Sequence, residues 1–307
     1  MLNFYKTIDN VTTPITQIEP DSWINLINPT DAEIKQVVDT LSLDIGFVRA
    51  ALDEEETSRI EAEDNQTLII IDIPFAQKHN NLVTYETVPL GIIITGKNIV
   101  TVCLKETAAL RDFADAKVKN VQIHLKTRFI LQLFYRIATH YLLYLRQIDK
   151  ISSYIEKQLH LSMKNKELIQ LLDLEKSLVF FSTSLKANEV TLEKVLRSRL
   201  IKLYDEDQEL LEDVLIEVKQ AIEMSTIYSN ILSGTMDAFA SVISNNLNIV
   251  MKTLTTVTIL MAIPTMIASF YGMNVEGMPV PHFWFVVALS VMITGIAGVF
   301  LYKKKMF

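Results

Sequence analysis

Two long apolar segments lie near the C-terminus of the chain. The first runs from Leu254 to Phe270 and the second from Phe283 to Tyr302. At about 1.5 Å per residue, helices of these lengths approach or match a hydrocarbon core about 30 Å thick. Between residues 253 and 302 the sequence contains one acidic side chain, Glu276, and no Lys or Arg. The pattern predicts two membrane-spanning helices, with a buried hairpin of a soluble protein as the alternative.

Long helices are predicted upstream of the first span. No Gly or Pro occurs between Lys97 and Ser233, so this interval contains no residue that breaks a helix. The last helix should begin near Asp205 or Asp207 and continue into the first span, because Gly234 costs a helix only about 1 kcal/mol. With about 65 residues it would be roughly 95 Å long. Two of these helices have apolar residues every three or four positions: Ile130, Leu133, Phe134, Ile137, Tyr141 and Leu145 in one, and Leu210, Leu211, Val214, Leu215, Val218 and Ile222 in the other.

The N-terminal third has the pattern of a sheet with helices. Thr30 followed by Glu33 predicts the capping box of a helix start. Gly96-Lys97-Asn98 predicts a tight hairpin turn between two apolar runs, in the second of which Cys103 should be a buried strand thiol. A single Cys allows no disulfide within the chain. Three runs are predicted to be strands: Thr67–Ile73, Pro89–Thr95 and Ile99–Leu104.

These elements together predict an α/β cytoplasmic domain, then long stalk helices, then two transmembrane helices. The predicted boundaries are an N-terminal α/β domain over residues 1–120, a helical stalk region over 121–250 and a transmembrane domain over 251–307. Within the last, the spans cover about 251–270 and 283–302, and the loop 271–282 joins them.

The charges suggest an orientation. Lys252 precedes the first span and Lys303, Lys304 and Lys305 follow the second, whereas the connecting loop has no basic residue. Because basic residues favour the cytoplasmic side, both termini should be cytoplasmic, in a multi-pass protein of the inner or plasma membrane. The chain carries a net charge of −7, and nearly all its acids precede the spans, which argues against nucleic acid as a partner.

The first span ends in Tyr271-Gly272-Met273-Asn274. This tetrapeptide, after an apolar helix of pore length and before a short acidic connector, resembles the signature of the CorA magnesium transporter family. The resemblance extends over nearly the whole chain. It implies a homopentameric funnel in the membrane, with Gly272, Met273 and Asn274 as the selectivity filter. Further segments that resemble the family are Trp23-Ile24-Asn25-Leu26, Asn28-Pro29-Thr30, Leu52-Asp53-Glu54-Glu55 and Ile231-Leu232-Ser233-Gly234.

A polar stripe follows one face of the first span. Taken in steps of three and four, it comprises Asn248, Met251, Thr255, Thr258, Ala262, Thr265 and Ser269. We expect this stripe to face a water-filled pore. In the alternative, its hydroxyls bond to their own helix and its small residues mediate dry helix packing. The resemblance places Asn248, Met251, Thr265 and Asn274 in the pore and Leu254 at a hydrophobic gate, while Ala262 stands where the family often has a constricting methionine.

The resemblance also implies a regulatory site for Mg²⁺ between neighbouring protomers. It assigns Asp213 to this site, and Gln77 lies where a partner acid is expected, with Asp72 nearby. Asp237 corresponds to an acid at the inner mouth of the pore, where carboxylates would concentrate cations. The alternative for Asp213 and Asp237 is an ordinary solvated helix face.

The predicted function is passive Mg²⁺ uptake gated by cytosolic Mg²⁺, with possible Co²⁺ and Ni²⁺ transport. Neutral oxygens can capture a Mg²⁺ ion that keeps its hydration waters, because this ion dehydrates reluctantly. The sequence has no phosphate-binding loop, nucleophile motif or paired histidines, so we expect neither an enzyme nor a prosthetic group. Mg²⁺ would be substrate and regulatory ligand, and the partners a homopentamer, lipid and divalent cations. The alternatives are a zinc transporter of the same superfamily, which Met273 disfavours, or a non-conducting membrane-anchored sensor or scaffold.

Overall fold

The structure of the protein is a computed structural model, in which the chain forms two compact units, Met1–Gly234 and Thr235–Phe307. The predicted division into three domains stays a prediction. Asn274 and Lys305 lie outside the described residues, which are 1–79, 82–162, 165–197, 204, 207–273, 280 and 282–304.

The order of the elements matches an α/β domain followed by long helices. The strands are β1 (Leu2–Ile8), β2 (Val11–Ile15), β3 (Ser22–Ile27), β4 (Arg59–Glu63), β5 (Gln66–His79), β6 (Leu82–Ile94) and β7 (Ile99–Cys103). The helices are α1 (Asp31–Leu41), α2 (Ile45–Ala50), α3 (Ala108–Ala114), α4 (Lys126–Ser162), α5 (Asn165–Arg197), α6 (Gln208–Tyr271) and α7 (Phe283–Lys303).

The strands form one sheet in the order β2-β1-β3-β7-β6-β5-β4. Only β3 and β7 pair in parallel, and both are buried throughout because helices cover the two faces of the sheet. The predicted hairpin between β6 and β7 is confirmed. Thr95 N donates to Asn98 O over 2.9 Å, and Asn98 N donates to Thr95 Oγ1 over 2.9 Å.

Strands β5 and β6 extend past the prolines at which the sequence prediction ended or began them. Pro74 pairs with Thr87 and Pro89 pairs with Asp72 inside the hairpin. A proline has no N–H to give a neighbouring strand, so it fits a strand only where one edge is free. The pairing of β4 with β5 ends at Ile70, before Pro74 is reached. The pairing of β7 with β6 stops at Leu90, so Pro89 also lies beyond the end of a neighbouring strand.

Helices α1 and α2 cover one face of the sheet. The predicted capping box is confirmed, since Thr30 and Glu33 exchange both hydrogen bonds at the start of α1. Helix α2 approaches β6 so closely that a Cβ on Gly91 would lie 2.3 Å from the Cβ of Ala51. This face buries an aliphatic cluster: Ile24, Val37, Phe47, Leu68, Ile70, Val100 and others.

Helices α3 and α4 pack on the other face, around Trp23. The ring centroids of Phe129 and Phe113 lie 5.5 Å and 6.3 Å from that of Trp23. The long helix predicted here is confirmed as α4, and all six of its periodic apolar residues are at most 3% exposed. Cys103 is fully buried as predicted, and burial raises the pKa of its thiol to about 11, so the thiol is inert.

Helix α6 is continuous over 64 residues, as the missing breakers predicted, and it begins at Gln208. Two serines attach its first part to α5. Ser225 Oγ donates to Leu178 O over 3.0 Å, and Ser233 Oγ donates to the carboxylate of Glu175. As α6 proceeds from Ser225 to Ser233, its partners on α5 go from Leu178 back to Glu175. The two helices are therefore antiparallel.

Candidate ion pathway and regulatory acids

Two helices are long and apolar enough to cross a membrane. They are α6, whose most apolar stretch has a mean hydropathy of 1.6, and α7, with 2.3. Helix α7 packs on the face of α6 that carries Leu260, Pro264 and Ala268, and an apolar cavity of about 610 Å³ lies between them. A Cβ on Gly298 would lie 3.8 Å from Leu260 Cδ2, so small residues of α7 allow this approach.

The predicted polar stripe lies on a different face of α6. Thr258, Ala262, Thr265 and Ser269 line a second groove of about 610 Å³, whose other lining residues also belong to α6. At 3.6 residues per turn, the centre of this stripe lies roughly 140° around the helix from the face that holds α7. Six of the seven stripe residues are exposed in the single chain, and Ala262 is half-buried. The stripe is thus not packed against α7.

The threonines of the stripe bond to their own helix. Thr258 Oγ1 donates to Leu254 O over 2.8 Å, and Thr265 Oγ1 donates to Met261 O over 3.0 Å. These are the hydrogen bonds expected in the dry-packing alternative, but a hydroxyl that donates its hydrogen can still accept hydrogen bonds. Each hydroxyl oxygen keeps lone pairs that can accept hydrogen bonds from water. The stripe can therefore act as a row of acceptors.

The N-terminal end of the span is exposed in the single chain. Asn248, Met251, Leu254 and Thr255 are all exposed, with Met251 at 58% and Leu254 at 67%. These residues are therefore available to contact other copies.

The C-terminal end of α6 carries the predicted filter residues. Gly272 N donates to Ala268 O over 2.9 Å, and Met273 N donates to Phe270 O over 3.3 Å. Both residues are exposed as the helix ends. Asn274 lies outside the described part of the chain, so its predicted role in the filter stays a prediction.

The predicted regulatory and inner-mouth acids lie in different surroundings. Asp213 and Asp237 are exposed on α6. Asp72 is half-buried on β5, and burial raises the pKa of its carboxyl, although a hydrogen bond from Ser184 opposes the shift. Within the described residues, no group of three or more His, Cys, Asp or Glu side chains could hold a metal ion.

The flanking lysines surround the two spans as the sequence places them. Lys252 and Lys304 are exposed, and Lys303 is the last residue of α7. The predicted orientation of the termini stays a prediction.

A buried polar cluster between α3 and α4 was not foreseen from the sequence. Asp112 Oδ2 accepts from Arg136 Nε over 2.8 Å and Nη2 over 2.6 Å, and it lies 2.8 Å from His140 Nε2. Burial acts to raise the pKa of Asp112, but the hydrogen bonds from His140 and Arg136 outweigh it and lower the pKa. Burial lowers the pKa of His140, against the hydrogen bond to Asp112. The spacing of Arg136 and His140, one turn apart, was the only signal.

Similar proteins agree with the architecture. A cobalt/magnesium transport protein CorA of Methanocaldococcus jannaschii is 28% identical over 290 residues, which cover 92% of this chain and 90% of that protein. A cobalt/magnesium transport protein CorA of Thermotoga maritima is 27% identical, over 98% of this chain and 88% of its own. The solved complete CorA magnesium transporter of M. jannaschii superposes with a TM-score of 0.81 at 27% identity, covering 99% of this chain and 97% of its own.

The comparison with protein families is equally extensive. The family described as CorA-like Mg²⁺ transporter protein matches residues 22–304, which take in the α/β domain from β3 onwards, the long helices and both apolar helices. The resemblance predicted from the sequence and the predicted fold class are confirmed. Because the match extends over far more than half of its length, the chain belongs to the CorA-like Mg²⁺ transporter family.

Proposed function

We propose that the protein is a CorA-type divalent-cation transporter of the cell membrane, whose physiological cargo is Mg²⁺. Relatives over most of the chain are named cobalt/magnesium transport proteins, which favours Mg²⁺ with Co²⁺ as a second cargo. Ni²⁺ is a further candidate. Transport needs no enzymatic step, since two charges moving through about 100 mV gain about 4.6 kcal/mol. Both termini would be cytoplasmic.

The observation that carries the proposal is the position of the hydroxyl stripe. Helix α7 occupies one face of α6, and Thr258, Thr265 and Ser269 lie on another, exposed face. Two spanning helices cannot enclose a pore, so the pathway needs a ring of copies with one α6 from each around the axis. A homopentamer is the state that the family resemblance suggests.

The chemistry of the stripe suits a hydrated dication. Mg²⁺ holds its waters tightly, and the waters around a cation direct their hydrogens outward. Hydroxyls that donate to their own helix, as those of Thr258 and Thr265 do, offer acceptors to those hydrogens. The ion could then pass with its hydration shell intact, because the hydroxyls would bond to its waters where bare hydrocarbon could not.

Gating by cytosolic Mg²⁺ is part of the proposal. Mg²⁺ bound between copies at a site that includes Asp213, with Asp72 as a candidate partner, would hold the α6 helices together. Loss of this ion would let the helices separate, so that the rings formed by Met251 and Leu254 widen. Asp237 would attract cations to the inner mouth.

Flux into liposomes tests the proposal. A Thr265→Val variant keeps the shape of the side chain but removes the acceptor, and we expect Mg²⁺ influx to fall several-fold. The matched control is Thr294→Val on α7, which removes a hydroxyl bonded in the same way, to Ser290 O over 2.8 Å, in the cavity between α6 and α7. Equal effects of the two substitutions would contradict a pore along the stripe, and no flux from wild type would favour a non-conducting scaffold.

Selectivity has its own experiment. Mg²⁺, Co²⁺, Ni²⁺ and Zn²⁺ fluxes are measured side by side for wild type and Asn274→Ala. We expect Mg²⁺ to be carried by wild type and its advantage to shrink in the variant. A preference of wild type for Zn²⁺ would replace the proposal with a zinc transporter.

A further inference from the structure

Helix α5 exposes an apolar face in the single chain. Its outer face carries five apolar side chains, each at least 41% exposed: Ile169, Leu172, Val179, Phe180 and Val190. We call this face the α5 stripe. Its length, from Ile169 to Lys194, is roughly 38 Å. A soluble helix face of this length and composition is expected to be covered by a partner.

The charges along the middle of the α5 stripe are basic. Lys176 and Lys194 lie between its apolar side chains and both are exposed, whereas the exposed Asp173 and Lys186 lie at its two edges. Lys176 Nζ lies 5.6 Å from the ring centroid of Phe180, so the charge is set among the apolar side chains. The partner surface should therefore combine acidic and apolar residues.

Helix α6 has an exposed face of this kind in the same compact unit. Read in steps of three and four, its charged members are acidic, and the exposed Lys219 lies beside it. The members are Glu209, Asp213, Ile216, Gln220, Glu223, Ile227 and Ile231. We call this face the α6 stripe. Its three isoleucines are between 53% and 61% exposed.

The two stripes also match in height. Ser225 of α6 is level with Leu178 of α5, because a hydrogen bond joins them, and the helices are antiparallel. Counting equal numbers of residues from this level, in opposite directions, brings Lys194 level with Glu209 and Leu172 level with Ile231. Copies related by a rotation axis along these helices keep each residue at its height. Basic residues of one copy then meet acidic residues of the next, and apolar residues meet apolar ones.

We propose that the α5 stripe of one copy docks on the α6 stripe of the neighbouring copy. The contact rests on the homo-oligomer of the proposed function and specifies which surfaces build it. Lys194 faces the neighbour's Glu209, and Leu172 packs against the neighbour's Ile231. Through this contact α5 supports the neighbour's long helix from outside.

Disulfide crosslinking between co-assembled chains tests the contact in the full-length oligomer. Copies that carry Leu172→Cys are co-expressed with differently tagged copies that carry Ile231→Cys, so that a mixed product can form only between chains. Cys103 stays in place because it is buried and inert. We expect the mixed disulfide to form about tenfold faster or more than in a control, since contact raises the effective concentration of the thiols. In the control, Tyr154→Cys on α4, where Tyr154 is 63% exposed, replaces Leu172→Cys.

A charge exchange gives a second readout. Lys194→Glu should lower the rate of the Leu172–Ile231 crosslink about threefold, as expected for one exposed ion pair, and Glu209→Lys on the partner chain should restore it. Lys35→Glu, which makes the same charge change on an exposed position of α1, should leave the rate unchanged. Failure of Glu209→Lys to restore the rate would overturn the pairing of these two residues.

The outcomes separate this inference from the proposed function. A particle of oligomeric mass without the mixed crosslink overturns the docking contact alone. A particle of monomeric mass overturns the homo-oligomer and the contact with it. Quenching by brominated lipid of a fluorophore on Leu172→Cys would show that the α5 stripe lies on the membrane surface instead, and that too would overturn the contact.

Discussion

The side-chain amide of Asn188 pairs with both backbone groups of Asp72. Asp72 N donates to Asn188 Oδ1 over 2.8 Å, and Asn188 Nδ2 donates to Asp72 O over 2.7 Å. Strand β4 has ended at this height, so the edge of β5 that faces away from β6 has no neighbouring strand there. Asn188 on α5 takes the place of that strand and satisfies a backbone edge in the interior.

Asn188→Leu should therefore destabilise the cytoplasmic unit. The substitution leaves a buried N–H without its partner, and we expect a loss of about 2–4 kcal/mol. Thermal unfolding of the full-length protein in detergent measures it. Ser58→Ala removes only the third bond to Asn188, a 3.1 Å contact with Oδ1, and should cost about 1 kcal/mol. Equal losses would show that the strand-like pairing is unimportant.

Gly91→Ala should weaken the attachment of α2 to the sheet. The new Cβ would lie 2.3 Å from the Cβ of Ala51, and such overpacking costs about 1–3 kcal/mol. A second substitution, Ala51→Gly, should recover part of the loss in the melting temperature. Gly96→Ala is the control, because the nearest atom to its Cβ would be Asn65 Nδ2 at 3.9 Å. Loss of stability in Gly96→Ala alone would contradict the steric account.

Acid should destabilise the packing of α3 on α4 through His140. Burial lowers the pKa of His140 in the folded protein, so the unfolded chain takes up the proton first as the pH falls. Stability is then lost as the pH drops from the unfolded value, about 6.5, towards the lower folded pKa. The pKa of Asp112 is also lowered, but its contribution is lost only below about pH 4, so it does not enter this window.

His140→Gln should flatten the dependence of the melting temperature on pH between 5 and 7. His124→Gln, at an exposed position, should retain the slope of the wild type. An unchanged slope in His140→Gln would assign the acid sensitivity to other groups.

Asp213→Ala should keep the transporter open when internal Mg²⁺ is high. Under the proposed gating, removal of this carboxylate lowers the affinity for the Mg²⁺ ion that holds the copies together. Mg²⁺ influx into liposomes preloaded with Mg²⁺ is the measurement, and Asp39→Ala on the exposed side of α1 is the control. Normal shut-off in Asp213→Ala would remove Asp213 from the gating scheme.

Local signals in the sequence were sufficient for several elements. Thr30 and Glu33 are three residues apart, and the hairpin between Thr95 and Asn98 closes within four residues, so each forms from neighbours along the chain. The continuity of α6 follows from the absence of breakers up to Gly234. Short-range chemistry decides such features before any tertiary contact forms.

Other features depend on residues far apart in the chain. Asp72 is half-buried beside Asn188, 116 residues later, and Ser184, and no local pattern in the sequence predicts these partners. The cluster of Asp112 with His140 likewise joins two helices, and no spacing pattern connects them. The faces of α6 are an intermediate case. Spacing identified the hydroxyl stripe, but only the packing of α7 on Leu260 and Pro264 showed that the stripe is left free.

The hydrogen bonds from Thr258 and Thr265 to carbonyls of their own helix bear on which sign of ion charge the stripe favours. With their protons held by helix carbonyls, these hydroxyls can only accept. A water molecule bound to an anion donates one of its hydrogens to the ion, whereas a water molecule bound to a cation can donate both hydrogens to the hydroxyls of the stripe. In the proposed pathway, such a surface would discriminate against chloride without carrying any charge itself. Because hydroxyls do not titrate near neutrality, acidification would leave that discrimination intact.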